Sequence, residues 1–184
     1  MAEATNRTET GGRRFGNGPP SSLSAWLLAL CLSLSLQSSP ALAQTVDLVR
    51  VHKADRRLEL LAGEKVLRTF PVALGGAPVG HKHRQGDERT PEGRYVLDWR
   101  NAASGFHKSI HIDYPNADDR RAARSRNEDP GGMIMIHGQK NGFGWAAWLV
   151  QELNWTDGCI ALTNGDMDEV WGMVKNGTPI EILP

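Results

Sequence analysis

The chain has 184 residues, of which 40% are hydrophobic, and its 21 basic and 21 acidic side chains give a formal net charge of +0 at pH 7. A chain of this length supports one well-buried core even after a leader is removed. The balanced charge, with no basic stripe carrying interleaved aromatic residues, argues against nucleic acid as a partner.

The N-terminus has the layout of a secretory signal peptide. Two arginines precede an apolar run at 23–36, and small residues follow up to a cleavage site after Ala43. The run is about 14 residues long, shorter than the ~20 that a membrane-spanning helix needs. We therefore expect residues 1–43 to be a signal peptide and residues 44–184 to form one exported domain, in the periplasm or elsewhere in the cell envelope, with no stable membrane span. An uncleaved anchor is the alternative, and the export route stays open.

Alternation of apolar and polar residues predicts that most of the exported chain forms short strands. An aperiodic loop at 74–89 and a turn at 90–93 separate an N-terminal hairpin from the later strands. The predicted strands cover residues 46–51, 57–61, 66–72, 94–100, 109–114, 133–136, 160–162 and 180–183. Helices are predicted near 117–126, 145–153 and 165–175. The sum is a compact domain that is mainly β with a few helices.

The last two predicted helices carry distinct signals. The helix near 145–153 has an apolar stripe on one face, which we expect to pack against the core rather than to contact a cofactor. Thr163 or Asn164 is positioned to cap the final helix. The stripe consists of Trp145, Trp148, Leu149 and Leu153. No cofactor is predicted for the protein.

Cys159 is the one cysteine that remains once the leader, with Cys31, is removed. A free thiol has a pKa near ~8.5, so little of it is nucleophilic thiolate at neutral pH. The nearest candidate base is His137, at the end of an apolar run, and an ion pair with it favours the charged sulfur. We predict Cys159 as a nucleophile and His137 as the base, then as the acid toward a leaving amine. A buried inert cysteine is the alternative.

Glycines flank both candidate catalytic residues. Gly158 can adopt dihedral angles barred to other residues, so a bend before Cys159 can turn backbone N–H groups toward one point. We expect the N–H groups of Gly158 and Cys159, with Asp157, to form an oxyanion hole. Gly138, directly after His137, allows close approach of the backbone.

Other polar and aromatic residues have weaker signals. Gly138, Tyr114, Thr156 and Trp155 are candidate substrate contacts, with packing as the alternative for the aromatic residues. No metal is predicted. His107 and His111 lie too far apart on a predicted strand to chelate one ion, and the histidines at 81 and 83 fall in a charge-rich loop where solvation is the simplest interpretation.

Taken together, these segments resemble the L,D-transpeptidase catalytic domain, also called the YkuD domain, of bacterial cell-wall enzymes. The resemblance covers nearly all of the exported chain, and its branch has a Trp-Thr-x-Gly-Cys-Ile-Ala motif, here at 155–161. It rests also on the turn at 90–93, on 104–107 through 114–116, and on Ile136-His137-Gly138. It implies a β-sandwich-like fold in which the cysteine lies beside the histidine in a cleft.

The resemblance also implies a reaction. Cys159 would attack the bond between meso-diaminopimelate and D-alanine in a peptidoglycan tetrapeptide stem, releasing D-alanine and leaving a thioester acyl-enzyme. An acceptor amine of another stem would then complete a 3→3 cross-link. Carbapenems would acylate the same cysteine.

Two positions depart from the pattern of many family members. Asp157 stands where many have His, and Ala161 stands where many have Arg. Both departures match a branch that includes hydrolytic enzymes, which cleave stems or detach a wall-bound lipoprotein. The acceptor therefore stays open between an amine and water. A catalytically silent wall-binding module and a metal-dependent peptidase are the remaining alternatives.

Overall fold

The computed structural model of the protein describes residues 45–184, so the expected signal peptide lies outside the described residues. The strands in that range are β1 (Leu48–His52), β2 (Arg57–Ala62), β3 (Lys65–Pro71), β4 (Gly93–Ser104), β5 (His107–Ile112), β6 (Met135–His137), β7 (Ile160–Ala161) and β8 (Thr178–Leu183). The α-helices are α1 (Ala117–Ser125), α2 (Ala147–Val150), which follows a 3₁₀ turn at Gly144–Ala146, and α3 (Asn164–Met173). The predicted class, mainly β with a few helices, is confirmed.

All eight strands form one sheet, in the order β3-β2-β1-β8-β4-β5-β6-β7. The pairs β1–β8 and β6–β7 are parallel. Ala73, just beyond β3, exchanges two backbone hydrogen bonds of 2.9 and 2.8 Å with Ala161 of β7. These bonds join one end of the sheet to the other, so the sheet curls and faces itself across a single core. This is the β-sandwich-like architecture that the resemblance implied.

The core is filled by alternate residues of the central strands, because successive side chains of a strand point to opposite faces. Val49, Leu58, Leu97 and Ile110 are fully buried members of this core. Each such aliphatic side chain contributes roughly 1.5–3 kcal/mol relative to its exposed state. Helix α3 closes the core with two further buried side chains, Met167 and Val170.

Capping residues fix where the two longer helices begin. The Asn116 side chain accepts hydrogen bonds from the backbone N–H groups of residues 118 and 119, and the Asn116 N–H donates to the Asp119 carboxylate, which forms a capping box for α1. Thr163 caps α3 by accepting from the Asp166 N–H at 3.2 Å. Of the two caps considered for α3, Thr163 is therefore the one used.

Buried lysines hold the β3–β4 loop, which we define as residues 72–92. Lys53, on the β1–β2 turn, is only 4% exposed. Its ammonium group donates to the carbonyl oxygens of Gly80 and Thr90 at 2.6 and 3.0 Å and to the Glu92 carboxylate at 2.8 Å. All three N–H donors of this lysine are satisfied, so its burial fastens the loop to β1.

A second buried lysine lies within the loop itself. Lys82, 2% exposed, pairs with Asp87 at 2.8 Å. Asp87 also accepts hydrogen bonds from the backbone N–H groups of His83, Arg84 and Arg89. Burial alone would raise the pKa of Asp87, but the bonds from Lys82 and from these N–H groups outweigh it and hold the pKa well below its ordinary value.

The apolar stripe does not pack into the core, contrary to the expectation from sequence. Its four residues are strongly exposed: Trp145 76%, Trp148 73%, Leu149 52% and Leu153 56%. The segment forms only a 3₁₀ turn and a single turn of helix, and polar contacts hold it down. Buried Gln151 donates to the carbonyl oxygens of Pro71 and Ala161 at 3.2 and 2.9 Å. No helix between residues 45 and 184 has the length and apolar character needed to cross a bilayer.

Candidate active site

Strand register brings the two candidate catalytic residues together. In the parallel pair β6–β7, Ile136 lies opposite Ile160 and His137 opposite Ala161. Because alternate residues of a strand share a face, His137 and Cys159, just ahead of β7, project from the same face of adjacent strands. Both line one cavity of about 310 Å³.

The His137 imidazole is prepared to accept a proton. Its Nδ1 lies 2.6 Å from the carbonyl oxygen of Gly138, which can only accept, so we infer that Nδ1 carries the proton and Nε2 is the free base. The rings of Phe106 and Trp155 lie 4.8 and 5.8 Å from the imidazole centroid and fix its orientation. Burial lowers the pKa of His137 and so favours the neutral ring. The hydrogen bond to Gly138 acts in the opposite direction and is the smaller effect.

The Cys159 thiol rests in its neutral form. Burial raises the pKa of Cys159, and the negative charge of Asp157 adds to this, while a hydrogen bond with the Met135 backbone and the charge of Lys82 act in the opposite direction. The thiol donates to the Met133 carbonyl oxygen at 3.8 Å rather than to His137. Burial therefore acts against the thiolate–imidazolium pair expected from sequence, because desolvation disfavours both charged groups.

The turn that presents Cys159 is fixed by a hydroxyl group. Thr156 Oγ1 donates to the Cys159 carbonyl oxygen at 2.7 Å and accepts from the Gly158 N–H at 3.2 Å. Gly158 has φ +122°, and a Cβ there would lie 2.5 Å from the Arg89 carbonyl oxygen, so no other residue fits. The Gly158 N–H is thus engaged with Thr156, contrary to the expectation that it faces an oxyanion.

The remaining sequence-based candidates occupy different environments. Trp155 and Thr156 line the cavity, and Asp157 lies exposed on its rim. The indole Nε1 of Trp155 is buried without a hydrogen-bond partner in the part of the chain that the structure describes. Gly138 is buried behind His137, where a Cβ would come within 2.8 Å of Asn164 Oδ1. Gly138 therefore offers its carbonyl oxygen to His137 and packs closely against Asn164, rather than contacting a substrate.

Tyr114, the other candidate substrate contact, is not among the residues that line the cavity. The side chain is 2% exposed, and its hydroxyl donates to the Pro130 carbonyl oxygen at 3.1 Å. Its ring also packs edge-on against Tyr95 at 6.0 Å. The alternative interpretation, a packing tyrosine, describes this residue.

Several cavity residues had no signal in the sequence. Phe106 lies in the turn between β4 and β5, and Asn101 and Ser104 come from the last residues of β4. The predicted strand ended at Arg100, because the alternation stops there, whereas β4 continues to Ser104. Only the resemblance drew attention to 104–107, and it assigned no role to Phe106.

The histidines outside the cavity pair with carboxylates. His107 lies 2.7 Å from Asp168, and His111 lies 2.7 Å from Asp98. His81 is not solvated as expected, since its Nε2 is 3.1 Å from Asp119. Among residues 45–184, no group of three or more His, Cys, Asp or Glu side chains is arranged to hold a metal ion.

Comparison with known proteins agrees with the fold and identifies the family. The L,D-transpeptidase catalytic domain, YkuD, matches residues 47–182. The chain belongs to this family. YafK from Escherichia coli (strain K12), to which the name L,D-transpeptidase is given only provisionally, is 31% identical over 133 residues, covering 68% of this chain and 46% of YafK. The chain thus spans a little less than half the length of that relative.

Solved structures share the fold. The helical cell shape determining protein Pgp2 from Campylobacter jejuni has a TM-score of 0.57 at 22% identity, covering 74% of this chain and 47% of Pgp2. Bd1075 from Bdellovibrio bacteriovorus has a TM-score of 0.52 at 22% identity, covering 77% of this chain and 49% of Bd1075. At these identities the likeness establishes the fold alone.

Proposed function

We propose that the protein is a cysteine-dependent L,D-transpeptidase that acts on the tetrapeptide stems of bacterial peptidoglycan. Family membership supports the reaction class. The observation that carries the proposal is the cavity in which Cys159 and a correctly protonated His137 meet on one face of the sheet. If the Cys159 thiol and the His137 imidazole are both neutral at rest, the thiol proton moves to His137 as the sulfur attacks, not before.

The reaction then proceeds by two acyl transfers. Cys159 Sγ attacks the carbonyl carbon of meso-diaminopimelate while its proton passes to His137 Nε2. His137 returns that proton to the amine of D-alanine as the C–N bond breaks, and a thioester remains. An acceptor amine attacks the thioester, gives its proton to His137, and the sulfur leaves and recovers the proton as the thiol.

Backbone donors stabilise the tetrahedral oxyanion in this scheme. Because Thr156 engages the Gly158 N–H, the scheme uses the Cys159 N–H, with that of Asp157 on the same turn. Thr156 acts as a positioning residue, since it holds the turn from both sides. Asp157 adds a negative charge at the rim, which opposes formation of the thiolate.

A hydrolytic relative is the second candidate, with water in place of the acceptor amine. Ala161, where many family members have Arg, is completely buried and joins the two ends of the sheet through Ala73. The alanine side chain carries no charge, so position 161 offers no cation to a substrate carboxylate. The hydrolytic products would be a shortened stem or a released wall-bound lipoprotein.

We also propose that the enzyme works in the periplasm or cell envelope, where its substrate lies, after removal of residues 1–43. Residues 44–184 would then be the catalytic domain. N-terminal sequencing of the protein recovered from the envelope fraction tests this, and an intact N-terminus there would contradict cleavage.

Purified peptidoglycan sacculi provide the decisive substrate. The protein is incubated with sacculi, and released and joined muropeptides are separated and weighed. Transpeptidation predicts 3→3 cross-linked dimers with loss of D-alanine, whereas hydrolysis predicts uncross-linked shortened stems or freed lipoprotein. The Cys159→Ala variant should give neither product, and retained turnover would refute the mechanism. A complete lack of products from the unaltered protein indicates a silent wall-binding module, and inhibition by a chelator indicates a metal-dependent peptidase.

A further inference from the structure

A second cavity, of about 490 Å³, lies on the other side of the nucleophile turn and is lined by arginines. Arg84 and Arg89 come from the β3–β4 loop, and Arg126 directly follows α1. The acidic residues in its wall are Asp87 and Glu128.

This cavity and the one at Cys159 share a wall. The backbone of Arg89 packs on the nucleophile turn so closely that a Cβ on Gly158 would lie 2.5 Å from the Arg89 carbonyl oxygen. The Gln85 N–H donates to the Asp129 carbonyl oxygen at 2.8 Å, which fixes the loop to the segment that leads into β6. The backbone of Arg89 thus lies against the nucleophile turn, and the same residue lines the second cavity, with its guanidinium group beside Gly80.

The second cavity has an excess of positive charge. Asp87 is already paired with Lys82 at 2.8 Å, and Glu128 with Arg126 at 2.7 Å. Both carboxylates of the cavity wall are therefore already neutralised by other cations. The guanidinium groups of Arg84 and Arg89 make no ion pair or hydrogen bond within residues 45–184. Glu88, the neighbouring acidic residue, lies over Gly76 instead of in the cavity wall.

The charge also acts on a nearby histidine. Burial and the positive neighbours His81, Arg126 and Arg89 lower the pKa of His83, another residue of the cavity wall, against the smaller effect of Asp87. The cavity therefore disfavours an additional cation and favours an anion.

The site at Cys159 has the opposite character. Its lining includes no lysine or arginine, and Asp157 is its one carboxylate. A stem peptide carries several free carboxylates, and this lining offers them no cation. The arginine cavity, which lies against the nucleophile turn through the backbone of Arg89, does offer cations.

We propose that the arginine cavity is a carboxylate subsite, in which Arg84 and Arg89 bind a free carboxylate of a stem peptide whose reacting group lies at Cys159. The inference rests on the proposed function. Guanidinium groups suit this ligand because two parallel N–H groups can bond both carboxylate oxygens. The carboxylate belongs either to the stem that is cleaved or to the stem that accepts, and the chemistry of recognition is the same.

The test compares Arg84→Gln, Arg89→Gln and the double variant with Arg124→Gln, which removes one charge from the exposed end of α1 outside the cavity. The substrates are a tetrapeptide muropeptide and versions with its free carboxylates amidated one at a time. The double variant should lose about tenfold or more in kcat/KM for release of D-alanine, the loss expected for hydrogen bonds to a charged group. Arg124→Gln should change the kcat/KM for D-alanine release little.

Separate readouts assign the carboxylate to its stem. A loss in D-alanine release indicates the cleaved stem. Unchanged release with fewer joined products relative to hydrolysed ones indicates the accepting stem. The muropeptide amidated at the recognised carboxylate should be processed equally by the unaltered protein and by the double variant, and Arg89→Lys should recover only part of the loss.

Two controls separate this inference from the proposed function. Alkylation of Cys159 by iodoacetamide, a neutral reagent, should be unchanged in the double variant, which shows an intact site. Binding of the muropeptide to Cys159→Ala protein, measured by calorimetry, should weaken about tenfold when both arginines are replaced, whether or not the unaltered protein turns the muropeptide over. Unchanged binding and turnover, an equal loss on every amidated stem, or binding of inorganic phosphate without binding of the stem would each overturn the inference.

Discussion

The two long connections that flank the candidate active site are held in opposite ways. The β3–β4 loop has no periodic pattern, yet buried Lys53 and Lys82 fasten it through satisfied hydrogen bonds. The connection between β6 and β7, residues 138–159, has apolar residues at helical spacing, yet exposes them and is held by Gln151. Hydrophobic periodicity identifies regular elements, but connections are fixed by the pairing of buried polar groups, which periodicity does not register.

The contrast bears on the site, because the β3–β4 loop supports the nucleophile turn and the β6–β7 connection lines the cavity. The β3–β4 loop packs its backbone against Gly158 and so fixes the turn that presents the nucleophile. The β6–β7 connection contributes Trp155 to the cavity but leaves its outer surface apolar and open. Substitutions in the two connections should therefore have different effects.

The largest effect is expected from Lys82→Met. Removing one partner of a buried ion pair leaves Asp87 uncompensated, which typically costs about 3–5 kcal/mol of unfolding free energy. Urea denaturation measures the change, with Lys175→Met at an exposed position as the matched control. If the two variants lose equal stability, buried cations do not hold the loop.

Acid should weaken the same loop. The pKa of Asp87 is lower in the folded protein than the ~3.9 of an unfolded chain. Its contribution to stability is therefore complete above about pH 4 and is lost as the pH falls toward the folded pKa. Unfolding midpoints measured from about pH 5 down to about pH 2 should fall less steeply for Asp87→Asn. Parallel curves for the two proteins would contradict this role.

The other connection should depend on Gln151 and not on its tryptophans. Gln151→Ala removes the side-chain donor to the Pro71 carbonyl oxygen and the acceptor of the buried Gln139 amide, and should cost about 1–3 kcal/mol. Trp148→Gln, in the same segment, should change the unfolding free energy by no more than about 0.5 kcal/mol, because the side chain is exposed. Thermal unfolding of both variants checks the pair, and the reverse order of effects would restore the packing interpretation of the stripe.

The smallest effect is expected at the rim. Asp157 raises the pKa of Cys159, so Asp157→Asn should lower it, and only slightly because Asp157 is exposed and solvent screens its charge. The thiolate fraction at neutral pH then rises, and alkylation by iodoacetamide should speed up and shift its pH profile to lower pH. Glu152→Gln, which removes an exposed carboxylate outside the cavity, should leave the profile in place.

The sequence was sufficient for the family, for the class of fold and for the approximate positions of the strands and helices, because these depend on local patterns. It did not reveal the closure of the sheet, since a bridge between Ala73 and Ala161 leaves no periodic signal. It also missed the end of β4, where Asn101 and Ser104 enter the cavity without alternation.

Within the site, residue types were predictable and their environments were not. The resemblance identified Cys159 and His137, whose catalytic roles stay predictions. The neutral resting pair depends on burial by Phe106 and Trp155, which only the folded chain determines. Likewise, the Tyr114 hydroxyl donates to the Pro130 carbonyl oxygen away from the cavity, and the Gly158 N–H donates to Thr156 within the nucleophile turn. Both acceptors are brought into reach only by the packing of the folded chain.

Acylation by a carbapenem, followed by intact-protein mass, tests the central pairing of Cys159 with His137 most directly. One adduct per molecule is expected on the unaltered protein and none on Cys159→Ala. The same adduct should form on His137→Ala at a rate lower by roughly 10²–10⁴, the loss expected for a general base. An adduct on Cys159→Ala, or an undiminished rate in His137→Ala, would contradict it.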